Sequence, residues 1–131
     1  MQKKRWQPLL RACWGIACVV VIIGSLLPAD STPIHLLSIL DINDKVEHFC
    51  AYTVLGLLPT VHEKWRRLWL LLVLMVALGI ALEYGQLYSP GRAFEIADMV
   101  ADASGVLVGF LIGLLLRRRA MGTSGLGAKT D

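Results

Sequence analysis

The chain has 131 residues, 56% of them hydrophobic, with a mean hydropathy of +0.61 and a formal charge of +3. That composition excludes an ordinary soluble domain, and so small a positive charge gives no basis for binding nucleic acid. Cys13, Cys18 and Cys50 all fall inside apolar runs, offer neither a disulfide framework nor metal-ligand spacing, and read as small hydrophobes.

Four apolar segments account for the excess: Leu9 to Leu27, Val46 to Val61, Leu68 to Leu87 and Met99 to Leu116. A bilayer core of about 30 Å needs about 17 to 25 helical residues to cross, so the first, third and fourth suffice and the second is marginal. An open sheet leaves backbone groups unpaired in lipid, so the expected architecture is an all-α, four-helix transmembrane bundle occupying residues 12 to 116.

In chain order, residues 1 to 11 are basic, with Trp6 and Trp14 placed for an interfacial belt. A charged start before an apolar stretch resembles a secretory signal. No small-x-small cleavage site follows Leu27, however, and the stretch is long, so it reads as a retained span ending at Pro28. Residues 29 to 43 form a loop whose IHLLSIL patch suits the interface, with His35 as surface.

The second span opens on Asp44, Lys45, Glu47 and His48, with Asn43 or Asp44 as its N-cap. Asp44, His48 and Tyr52 recur at i, i+4 and i+8, which aligns them down one helical face. A functionless reading has Asp44 capping, Lys45 snorkelling and His48 resting at headgroup level; it serves for Asp44 and Lys45, whereas His48 and Tyr52 lie deeper and are better explained by a partner inside the bundle. The third span is apolar until Glu83, Tyr84 and Gln86. A carboxylate there must face protein or water, since a charge at the bilayer centre costs about 2.5 to 3.5 kcal/mol.

Ser89, Pro90 and Gly91 make a turn, and Arg92 is its lone cation, suited equally to an ion pair or to an anionic ligand. The fourth span opens with Asp98, and Asp102 follows one turn deeper. Gly105, Gly109 and Gly113 form a G-x-x-x-G-x-x-x-G face for close helix packing. The Gly-rich residues from 117 to 131 read as a tail without regular structure.

Eleven Lys and Arg residues flank one side of these spans: Lys3, Lys4, Arg5, Arg11, Lys64, Arg66, Arg67, Arg117, Arg118, Arg119 and Lys129. Only Lys45 and Arg92 stand on the other. The positive-inside rule therefore predicts cytoplasmic termini. The acids show the reverse skew, with eight of ten on the outer side and only Glu63 and Asp131 inside.

DKVEHFCAY, then ALEYGQ, then SPGRAFEIADMVADASGVLVG together resemble the VanZ-like family of small bacterial membrane proteins. The likeness runs from about residue 25 to 113 and includes SLLP at the first span's end. The family pattern is D-K-x-x-H-F-x-x-Y, E-x-x-Q, P-x-R, an Asp and a following polar residue, and G-x-x-x-G. One position departs from it: Asp102 stands where the family has Asn. A second carboxylate there carries a proton, pairs with Lys45 or Arg92, or marks a subgroup with altered chemistry. The resemblance implies a bacterial cytoplasmic membrane location and a link, through the founding member, to reduced sensitivity to glycopeptide antibiotics such as teicoplanin.

Three accounts fit the polar residues. In the first, the outer ends bind and chemically alter the head of a lipid-linked or envelope substrate. His48 is then general base or nucleophile, Asp44 or Glu83 orients it, and Lys45, Tyr52, Gln86, Arg92, Asp98 and Asp102 complete the binding layer. In the second, the same groups form a satisfied network that only locks the bundle. A proton-coupled carrier ranks last, because the cytoplasmic halves carry almost no polar residues. No cofactor or metal motif is visible.

Overall fold

The computed structural model describes residues 3–28 and 43–126, with side chains from 6 to 28 and 43 to 119. The patch at 34 to 40 and His35 lie outside them. Among the described residues there are four helices, α1 (Lys3–Leu26), α2 (Asp44–His62), α3 (Trp65–Gln86) and α4 (Ile96–Leu126), and no strand. Three segments are long and apolar enough to cross a membrane: Trp6–Leu26, Trp65–Gln86 and Ile96–Arg119. The marginal second run is α2, which is shorter, carries the polar start and packs against all three other helices, most extensively α4.

Burial runs opposite to that of a soluble domain. Val73, Leu70, Leu107 and Val100 are exposed, while Glu83, Gln86, Asp98 and Asp102 are each 2% exposed or less. Large apolar faces turned outward and carboxylates turned inward suit a lipid surround.

Glycine sets the α2–α4 approach. A Cβ on Gly105 would lie 2.5 Å from the Phe49 carbonyl oxygen, one on Gly113 would lie 2.6 Å from Thr60 Cβ, and one on Gly109 would overlap the Thr53 carbonyl. The small-residue face therefore lets the α2 backbone seat directly on α4, as its spacing predicts.

Pro59 lies within α2 and has no N–H for the carbonyl of Leu55, one turn earlier. The indole of Trp14 on α1 donates to that oxygen at 3.0 Å. A helix defect is thus repaired by a neighbouring helix, and Trp14 serves the bundle interior rather than a belt.

At the basic end, Glu63 is 4% exposed and gathers Arg11 at 2.6 and 3.2 Å, His62 at 3.4 Å and Arg67 at 3.7 Å. Arg117 donates to the Glu63 carbonyl at 2.9 Å and lies over the Trp65 ring. Burial opposes ionisation of Glu63, yet the Arg11 hydrogen bond and charge, with His62 and Arg67, hold its carboxyl below the usual range. Anchored there, α4 continues past Arg117 to Leu126, so the first part of the expected tail is helical.

Candidate functional site

The opposite end collects the acids. Asn43 caps α2 by accepting from the Lys45 amide at 3.0 Å, which starts the helix so that Asp44 sits half exposed at its mouth while His48 and Tyr52 follow inward. α3 supplies Glu83 and Gln86 from its last turn. The Gly91 backbone at φ 75° allows the tight turn after Pro90 that carries Arg92 back toward the bundle. Glu83 Oε1 then accepts from the Glu95 amide at 2.5 Å, so the carboxylate of one span caps the start of the next.

Across the α2–α4 interface, His48 Nδ1 lies 2.9 Å from Asp102 Oδ1. The sequence points to Asp44 or Glu83 as the group that orients His48, and a pair with Lys45 or Arg92 is one of its three alternatives for Asp102, beside a bound proton and an altered chemistry. The structure pairs the two deeper residues with each other instead. Asp102 has room because α3 offers Gly79 there, where a Cβ would fall 2.6 Å from Oδ2.

The two cations act as tethers. Lys45 Nζ contacts Glu95 Oε2 at 2.5 Å and Asp98 Oδ1 at 3.3 Å. Arg92 donates to the Leu27 and Gly24 carbonyls at 3.3 and 3.4 Å and to Asp44 Oδ1 at 3.5 Å, setting positive charge at the C-terminus of α1. Ser89 Oγ adds a bond to the Leu26 carbonyl at 3.0 Å.

Four buried polar atoms have no hydrogen-bond partner among the described residues: Tyr52 Oη, Glu83 Oε2, Gln86 Nε2 and Asp98 Oδ1. One ligand-type atom from each of Asp44, His48 and Asp98 lies within 4.8 Å of the others. A cavity of about 270 Å³ opens beside them, lined by Val20, Val21 and Gly24 of α1 on its apolar side and by Asp44, His48 and Arg92 on its polar side.

All nine sequence-predicted polar residues are therefore at one end of the bundle. Gly105, Gly109 and Gly113 lie progressively further from it and act in packing. Glu95, which bridges Lys45 and Glu83, was passed over because an acid in a turn looks like ordinary surface.

These features define a small helical membrane protein with a titratable layer, walled by several helices, at one end. The chain belongs to the VanZ/LLP1 family, whose model matches residues 12–117, a longer stretch than the motifs alone cover. No curated protein and no solved structure matches it.

Proposed function

We propose that this protein sits in the bacterial cytoplasmic membrane as four spanning helices with both termini inside. On this reading it binds the anionic head of a lipid-linked or other envelope molecule at the outer leaflet. The observation that carries the reading is the cavity between α1 and α2, apolar on the α1 side and charged on the other. That is the two-sided chemistry of a lipid near its headgroup.

Arg92 is the anion contact. Its bonds are long, at 3.3 to 3.5 Å, and a phosphate or carboxylate would offer its guanidinium a stronger bidentate partner. His48, oriented by Asp102, is the group placed to accept a proton from a hydroxyl of the bound head. The family link to glycopeptide antibiotics then reflects a change in envelope chemistry rather than direct capture of the drug.

A second reading keeps the network and drops the ligand. Lys45 with Glu95, Arg92 with the α1 carbonyls and Glu83 with the Glu95 amide tie all four helices, which a purely structural lock would also need. Purified protein incubated with lipid-linked cell-wall intermediates separates the two. Binding or turnover lost in folded His48→Ala and Asp98→Ala supports a working site. If both variants keep their cellular phenotype and their fold, the working site is rejected; if phenotype and stability fall together, the lock is favoured.

A further inference from the structure

We propose that Asp44, His48 and Asp98 form a binding site for one first-row divalent cation, with Zn²⁺ and Mn²⁺ as the ions its donors suit. One imidazole nitrogen and two carboxylate oxygens make a mixed N/O set, intermediate between the all-oxygen sites of Mg²⁺ and the sulfur-rich sites of structural zinc. Their ligand atoms already lie within 4.8 Å of one another. An ion bound at about 2.0 to 2.2 Å draws ligands to roughly 3 to 3.5 Å apart. Asp44, half exposed at the start of α2, has the freedom to close that gap.

Two further observations point to a ligand. Asp98 is 2% exposed, yet its Oδ1 accepts no hydrogen bond among the described residues; Lys45 stands 3.3 Å away and makes its shorter contact with Glu95. Lys45 balances the charge of this buried carboxylate at 3.3 Å without hydrogen-bonding Oδ1, so that oxygen remains an acceptor open to a bound cation. Asp102 supplies the second. By holding Nδ1 of His48 it leaves Nε2 as the nitrogen available for coordination, the carboxylate–histidine arrangement that fixes a metal-binding imidazole.

Charge balance agrees. Among the described residues, Asp44, Glu47, Glu83, Glu95, Asp98 and Asp102 cluster at this end with only Lys45 and Arg92 as permanent cations. A dication would displace the long Arg92 contact from Asp44 and the Lys45 contact from Asp98, leaving Lys45 on Glu95 and Arg92 on the α1 carbonyls.

With the ion bound, both ring nitrogens of His48 are engaged, so coordination replaces the proton-accepting role proposed above; the site does not depend on headgroup binding, and its test contains no envelope substrate. Full-length protein in detergent, stripped with a chelator, is titrated with Mn²⁺ followed by electron paramagnetic resonance and with Zn²⁺ against a chromophoric competitor. One equivalent with micromolar or tighter affinity is expected. His48→Ala and Asp98→Asn should abolish it, and Asp102→Asn should weaken it about 10- to 100-fold. Lys45→Met should tighten it, because it removes the competing charge, and a damaged fold cannot produce that gain. Absence of saturable binding below millimolar metal, or binding indifferent to His48→Ala and Asp98→Asn in folded protein, overturns the assignment.

Discussion

Asp102 on α4 and His48 on α2 meet at 2.9 Å, and the side of Asp102 turned toward α3 rests against Gly79. Three helices therefore fix a single pair, and the pair can be disturbed from a residue that touches neither ring nor ligand. Gly79→Ala places a methyl where the Asp102 carboxylate lies and should destabilise by about 1 to 3 kcal/mol, an overpacking effect. Thermal unfolding in detergent measures the loss, and the ¹⁵N shifts of His48 report whether its tautomer is released.

Asp102→Asn separates hydrogen bonding from charge. An amide oxygen accepts from Nδ1–H much as the carboxylate does, so the midpoint of unfolding should move by a few degrees only. Asp102→Leu leaves Nδ1 of His48 without that acceptor in a buried setting and should lose about 1 to 3 kcal/mol. Equal losses in the two variants would deny the hydrogen bond its role.

Trp14 and Pro59 give a double-mutant cycle. Trp14→Phe keeps an aromatic ring but strands the Leu55 carbonyl, at about 1 to 3 kcal/mol. Pro59→Ala restores the backbone donor that this carbonyl lacks. In the Pro59→Ala background the Trp14→Phe loss should shrink by about 1 kcal/mol or more, a coupling read from unfolding in the four proteins.

Glu63 predicts an acid limit at the other end. Its folded-state carboxyl titrates below the usual value of 4.5, so its contribution is present in full above about pH 4.5. As pH falls, the unfolded chain takes up the proton first, and stability is lost as pH drops through the lower folded-state value. Glu63→Gln should be less stable than wild type at neutral pH and should lack this component of the acid decline.

The sequence shows the helices and the polar layer for one reason: in lipid, the length of an apolar run and the depth of a charge each carry a large energetic consequence. Asp102 had to find company, and it finds His48. Which partner it finds depends on helix rotation, and that is set by backbone contact at Gly105 and Gly109, which no spacing rule resolves to one side chain. The Glu63 cluster was hidden because a short basic connection reads as topology alone. The Trp14 bond was hidden because an interfacial belt already explained a tryptophan near a span's start. Helix α4 runs beyond Leu116 through Arg117, whose side chain donates to the Glu63 carbonyl, a contact between residues 54 positions apart that local spacing does not reveal.

The central claim is that the cavity beside His48 and Arg92 receives a lipid with an anionic head. A photo-crosslinking amino acid at Ala51, on the cavity wall, with Val73 on the outward face of α3 as control, tests it most directly. Mass spectrometry of crosslinked lipids should show enrichment of phosphate-bearing or otherwise anionic envelope lipids at position 51 over position 73, reduced by Arg92→Gln. The same bulk lipid profile at both positions, unchanged by Arg92→Gln, would contradict it.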